Sequence, residues 1–278
     1  MVIEKSAYQP IGIFDSGYGG LTVFRAIVEE LPPYDYLYLG DNARTPYGNR
    51  SFETVYHYTL QCVRYLFQRG CRLVILACNT ASAKALRGIQ QRDLPEIDPA
   101  RRVLGVIRPS AEVIGQYTQT GSAGILATNG TVASQSYPIE TGHFYPDLKV
   151  YQQACPMWVP LVENHEFDKP GADYFIRENL AQLFAQSSEI DTILLGCTHY
   201  PLLMDKIRQY APAGCTILSQ GEIVAKSLAD YLHRHPEMER NCSKNGSRTF
   251  LTTDDSALFD RQAKIFLGNP VISAQVDL

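Results

Sequence analysis

Leu73-Val74-Ile75-Leu76-Ala77-Cys78-Asn79-Thr80 and Thr192-Ile193-Leu194-Leu195-Gly196-Cys197-Thr198-His199 decide how this chain folds. Each begins with a short apolar run and stops at a small residue, a cysteine, and then hydroxyl, amide or imidazole side chains. Runs of this length, bounded this way, predict strands buried on both faces; a strand with one wet face would alternate apolar and polar residues. Helical patterns follow both, the first through about residue 91. A strand feeding a helix is half of a β-α-β unit, and repeats of that unit build a parallel sheet covered by helices.

Working outward, the same grammar recurs. Ile11-Gly12-Ile13-Phe14 leads into Asp15-Ser16-Gly17-Tyr18-Gly19-Gly20 and a helix over residues 21–30. Tyr36-Leu37-Tyr38-Leu39 leads into a polar turn over 40–48 and a helix from 51 to about 69. A run over 103–107 opens a fourth unit, and Gly124-Ile125-Leu126-Ala127 a fifth. The fold class expected is therefore α/β with mainly parallel sheets flanked by helices. The two cysteine stretches match each other, and the turn over 12–20 has a counterpart in 124–131. That pairing predicts two similar halves, each with one cysteine loop and one hydroxyl-rich loop. Residues 235–247, polar and carrying Pro236, Asn245 and Gly246, are expected to form a loop, and His233 and His235, two apart beside Pro236, are expected to be solvated. Order resumes over 250–278.

Composition narrows the function. Lys and Arg number 25 against 29 Asp and Glu, a formal charge of -4, so nothing draws the protein to nucleic acid or an anionic membrane. No apolar run approaches the ~20 residues that cross a bilayer, and residues 1–5 lack the pattern of a secretion signal. The expected location is the cytoplasm. Seven cysteines, an odd number without framework spacing and without any C-x-x-C, fit free thiols better than disulfides or a zinc ribbon.

In parallel sheets, ligands gather at the carboxyl ends of the strands, and every polar signature above sits at such an end. Cys78 and Cys197 both stand between a strand and a predicted helix, where the helix dipole favours thiolate and poises the group for proton transfer. Packing is the competing role for a buried cysteine, and it is the reading for Cys62, Cys71, Cys155, Cys215 and Cys242. The 15–20 turn has no Lys and the wrong glycine spacing for a phosphate or dinucleotide loop. Asp15 at its mouth suits an ammonium group, or caps the helix. Asn79, Thr80, the Thr128-Asn129-Gly130-Thr131 turn and Thr198 supply neutral donors that can hold a carboxylate or cap helices. Glu163 and His199 are candidates to tune a thiol. No metal-ligand spacing occurs, and none of the eight lysines sits at a strand end where a pyridoxal enzyme needs one. No metal and no cofactor are expected.

Residues 13–21, Tyr38-Leu39-Gly40-Asp41 and Arg44-Thr45-Pro46-Tyr47-Gly48 resemble signatures of glutamate racemases, the cofactor-independent two-cysteine enzymes of the aspartate/glutamate racemase superfamily. So do the two cysteine stretches, Thr128-x-Gly130-Thr131-Val132 and Val159-Pro160-Leu161-Val162-Glu163, and the 250–268 segment. Arg108 and the Asp254-Asp255 pair depart from the usual pattern and touch neither cysteine motif. The resemblance implies two similar domains with the active site in the cleft between them. The expected division is 1–104 plus 221–278 for the first domain and 105–220 for the second. It further implies interconversion of L- and D-glutamate for peptidoglycan synthesis, with Cys78 and Cys197 as opposed acid/base thiols. Asp15, Glu163 and His199 would assist them. By motif match, Asp15, Ser16, Pro46, Tyr47, Gly48, Asn79, Thr80, Thr128, Thr131, Thr198 and His199 would contact the substrate. A homodimer is implied by the resemblance alone. The rivals are an aspartate-specific relative, a thiol redox sensor in which the two cysteines form a disulfide, and a binding module without turnover.

Overall fold

The computed structural model describes residues 8–278, so the N-terminal stretch over 1–5 lies outside the described residues. Among the described residues, ten strands form two sheets. The first holds β1 (Ile11–Asp15), β2 (Tyr36–Gly40), β3 (Leu73–Leu76) and β4 (Arg102–Gly105). The second holds β5 (Ser122–Ala127), β6 (Lys149–Ala154), β7 (Thr192–Gly196) and β8 (Thr216–Leu218). The chain then returns to the first sheet with β9 (Arg248–Thr252) and β10 (Ser273–Gln275). The orders are β10-β9-β2-β1-β3-β4 and β6-β5-β7-β8, with every pairing parallel.

The order β2-β1-β3-β4 repeats as β6-β5-β7-β8. The matched cysteine stretches therefore occupy equivalent strands, β3 and β7, each beside the strand that carries the hydroxyl-rich loop. Burial explains the composition of the central strands: β1, β3, β5 and β7 are buried throughout, with helices on both faces. The chain crosses between the sheets twice, after β4 and after β8. Helix Leu21–Glu30 of the first unit packs along helix Gln220–Arg234, which starts at the returning crossing.

Several expectations change. The fourth strand ends at Gly105, and Ile107 instead begins helix Ile107–Ile114. The helix expected through residue 91 is broken into helix Asn79–Lys84, a short turn at Leu86–Gly88 and a π-type turn at Ile89–Asp93. Strand β6 escaped the apolar-run criterion because it is a mostly half-exposed edge with polar residues, and β8 because it is an edge strand of three residues. Residues 235–247 are not simply a loop. A turn of helix, Pro236–Glu239, buries Met238, and Cys242 and Ser243 are buried beside it. His235 lies stacked on the Tyr231 ring at 4.2 Å, with its Nδ1 2.8 Å from the Tyr231 carbonyl oxygen, so only His233 is solvated as expected. Among the described residues, no helix is long and apolar enough to cross a membrane.

Candidate active site

The carboxyl ends of β1, β3, β5 and β7 converge on a narrow cavity of about 60 Å³. Cys78 and Cys197 both line it, one from each sheet. Ser16, Pro46, Tyr47, Gly48, Asn79, Thr80, Thr128, Thr198 and His199 line it as well. No Lys or Arg is among its lining residues. A carboxylate bound there meets hydroxyls, amides and backbone N–H groups, with His199 as the one group able to carry positive charge.

The two cysteines differ in setting. Cys78 caps helix Asn79–Lys84, its sulfur accepting from the Ala81 N–H at 3.4 Å. The Ser16 hydroxyl lies 3.4 Å from the same sulfur. The expected pull toward thiolate nevertheless loses. Burial comes first and the neighbouring Asp15 charge second, and together they push the Cys78 thiol up to about 12. Cys197 does not begin an α-helix at all: the next element is a 3₁₀ turn, Tyr200–Leu203. The helix-end reasoning therefore applies to Cys78 alone.

What stands at Cys197 is an imidazole. His199 Nδ1 lies 3.9 Å from the Cys197 sulfur, and His199 Nε2 lies 2.9 Å from Glu163 Oε1. Burial opposes charge on His199, but its hydrogen bonds to Cys197 and Glu163 outweigh that and raise it to about 10. His199 is thus a cation at neutral pH, with a sulfur on one side and a carboxylate on the other.

Three predicted site residues stand behind the cavity rather than in its wall. Asp15 is 1% exposed; its Oδ2 accepts from the Gly17 N–H at 2.9 Å and its Oδ1 has no partner. Burial raises its carboxyl above the usual range, against the pull of the His199 charge. Asp15 is not among the lining residues, and from the end of β1 its charge bears on Cys78. Thr131 is fully buried behind Thr128, whose hydroxyl it meets at 3.2 Å. Glu163, at the end of helix Trp158–Glu163, stands behind His199.

The loops are held by groups away from the cavity. Asp41, fully buried, accepts from the Tyr47 hydroxyl, from Arg44 Nε at 2.7 Å and from the Thr253 hydroxyl at 2.9 Å, which anchors the Tyr47-Gly48 turn. The Gly130 N–H donates to the Gly48 carbonyl at 2.8 Å and so joins the two units at the cavity rim. Gly19 is required for contact. A Cβ there would lie 2.3 Å from His199 Nδ1 and 2.4 Å from the Thr198 hydroxyl oxygen.

Sequence reasoning missed Thr45, Asn49, Cys155, Pro156, Val159 and Pro160, all of which line the cavity; Asn129, read as a neutral donor, lines it too. Cys155 was read as packing, and it is fully buried, its thiol raised well above its ordinary value by burial. Its position after a polar edge strand gave no sign that it also borders the cavity.

Residues 11–228 match the Asp/Glu/Hydantoin racemase family. The chain is 40% identical over 271 residues to a glutamate racemase of Persephonella marina, covering 96% of this chain and 97% of that protein. Its fold is similar to that of a glutamate racemase isoform of Bacillus anthracis, with a TM-score of 0.88 and 34% identity over 97% of this chain and 98% of the other. It is also similar to a glutamate racemase of Francisella tularensis solved in complex with D-glutamate, with a TM-score of 0.85 and 28% identity over 97% of each chain.

Proposed function

The chain belongs to the Asp/Glu/hydantoin racemase family and, within it, to the glutamate racemases, and from that premise we propose that Cys78 and Cys197 are the two acid/base groups that interconvert L- and D-glutamate. The observation that carries the assignment of roles is the presence of both thiols on one cavity, each contributed by the equivalent strand of a repeated half.

The α-proton of an amino acid is a very weak acid. Its removal calls for a positioned base and fixed donors around the carboxylate, where negative charge accumulates. One thiolate takes the proton from one face while the opposite thiol delivers its own to the other. The reverse reaction exchanges the two roles, so at each turnover one sulfur must be ionised and the other protonated. The Cys78 setting supports that division on one side, because burial and then the Asp15 charge hold Cys78 as a thiol; at the other sulfur stands the His199 imidazole, 3.9 Å from Cys197. Two side-chain thiols complete the proton transfer, so the reading needs no cofactor.

The substrate contacts follow from chemistry. Glutamate brings two carboxylates and one ammonium to a cavity lined by neutral donors. Ser16, Pro46, Tyr47, Gly48, Asn79, Thr80, Thr128 and Thr198 are read as the contacting set, with Thr131 supporting Thr128 and His199 adding charge. We read the cleft as the junction of two domains, 1–104 plus 221–278 and 105–220. We also read the protein as cytoplasmic and homodimeric, supplying D-glutamate for peptidoglycan.

The test is incubation of the reduced protein, without added cofactor, with L-glutamate in D2O. Appearance of D-glutamate together with α-deuterium is expected, and aspartate under the same conditions should exchange far more slowly. A folded, reduced protein that yields neither product from glutamate overturns the reading.

A further inference from the structure

Behind the Cys78 loop, three buried side chains close a ring of hydrogen bonds that the reaction itself does not use. Asn79 Nδ2 donates to Gln220 Oε1 at 2.6 Å. Gln220 Nε2 donates to the Tyr137 hydroxyl at 2.8 Å. The Tyr137 hydroxyl donates to Asn79 Oδ1 at 2.6 Å. All three residues are buried, and only Asn79 reaches the cavity.

The direction of this ring is set from outside it. Gln220 Nε2 also lies 3.1 Å from the Val106 carbonyl oxygen and 2.8 Å from the Ser110 hydroxyl, which itself donates to that same carbonyl at 3.0 Å. A backbone carbonyl can only accept, so the end of Gln220 facing Val106 must be its NH2. The carboxamide oxygen of Gln220 then faces Asn79, and Asn79 must present its own NH2 to Gln220 and its oxygen to Tyr137. One hydrogen of the Asn79 NH2 is spent on Gln220, which leaves the other as a donor. With the ring reversed, Asn79 would put its oxygen where its NH2 now stands, and an oxygen there cannot donate to a carboxylate.

The ring also spans the hinge, meaning the two crossings of the chain between the sheets. Val106 and Ser110 follow β4 on the outward crossing between sheets, whereas Gln220 follows β8 on the return. Asn79 belongs to the first unit and Tyr137 to the second. We propose that Gln220 is a positioning residue: read from the Val106 carbonyl and relayed through Tyr137, its carboxamide sets the orientation in which Asn79 offers an N–H to a substrate carboxylate. This rests on the reading of Asn79 as a substrate contact. Rings in which every member donates and accepts in one sense reinforce each bond and hold a single arrangement.

The full-length protein carrying Gln220→Met, Asn79→Ala, both together, or Tyr137→Phe is assayed for kcat and KM in both directions. If Asn79 holds a carboxylate throughout the reaction, losing its orientation raises KM and spares kcat. Gln220→Met should raise KM about 10-fold, the equivalent of one charge-assisted hydrogen bond. Added to Asn79→Ala, it should change KM by no more than about 2-fold, because the two act as one unit. Should Gln220→Met fail to fold, Tyr137→Phe, which removes the donor to Asn79 Oδ1 and one acceptor of the Gln220 NH2, should show the same rise in KM. A potent Asn79→Ala with a silent or fully additive Gln220→Met, or an unchanged KM in Tyr137→Phe, overturns the proposal and leaves the active-site reading intact. An Asn79→Ala protein with unchanged KM removes the premise itself.

Discussion

Glu163 Oε1 stands 2.9 Å from His199 Nε2, on the face of the imidazole opposite the Cys197 sulfur. A buried imidazole between a thiol and a carboxylate can hold its proton far above its ordinary range, and here it does so up to about 10. The Cys197 sulfur thus has a fixed cation beside it without any Lys or Arg in the cavity wall.

Removing that carboxylate should move the pH dependence. In Glu163→Gln the His199 proton loses a charge-assisted partner worth about one pKa unit or more. The alkaline limb of kcat should therefore shift to lower pH by about one unit. Because folding raises this pKa from 6.5 to about 10, the stability it contributes is complete below 6.5 and is lost as pH rises through about 10. Thermal melts across that window should show the wild type losing stability later than Glu163→Gln. Superimposable pH profiles would falsify the His199-cation account.

Cys78→Ala and Cys197→Ala should each lower racemisation by at least about 100-fold, since each removes one of two proton carriers. Circular dichroism of the glutamate product gives the rate, and far-ultraviolet spectra of the protein report the fold. Near-normal turnover in either variant contradicts a two-thiol reaction.

Gly19→Ala tests a contact. The added methyl collides with His199 and Thr198, the side chains that flank and follow Cys197. It should cost about 1–3 kcal/mol of stability through overpacking and lower kcat more than stability alone explains. Chemical denaturation beside kinetics separates the two effects. A fully active Gly19→Ala means that the loop yields freely.

Asp35 offers a control away from the cavity, at the amino end of β2. It is buried and accepts from Asn245 Nδ2 at 2.7 Å, from the Ser247 N–H at 2.8 Å and from the Ser247 hydroxyl at 2.6 Å, tying the returning chain to the first sheet. Burial works against its charge, but hydrogen bonds from Ser243, Ser247 and Asn245 prevail and lower its pKa to about 2. A lowered pKa contributes stability above 3.8 that is lost as pH falls through about 2. Asp35→Asn should therefore melt lower than wild type near neutrality, with the gap closing in that acid window and turnover per folded molecule unchanged. A constant gap across the window shows that the Asp35 charge is irrelevant to folding.

Local pattern determined much of this protein. Apolar runs ending in small residues and cysteines marked β1, β3, β5 and β7, because a strand buried on both faces must be apolar throughout, and that signature survives in a single sequence. Those same strand ends carry Cys78, Cys197, Ser16, Asn79, Thr80, Thr128 and Thr198, so most of the cavity wall was legible along with the fold. Edge strands β6 and β8 were not, since a half-exposed strand such as β6 tolerates polar residues and a three-residue strand such as β8 is too short to carry the signature. Nor were the roles of residues acting across the hinge. Nothing near Gln220 or Tyr137 in sequence marks them, because their partners lie up to 141 positions away and meet only when the two sheets close on each other. The contrast between the cysteines is likewise tertiary. In sequence each follows a strand and precedes a helical pattern, but protonation depends on which charges surround a buried group, and only folding brings Asp15 to Cys78 and Glu163 to His199.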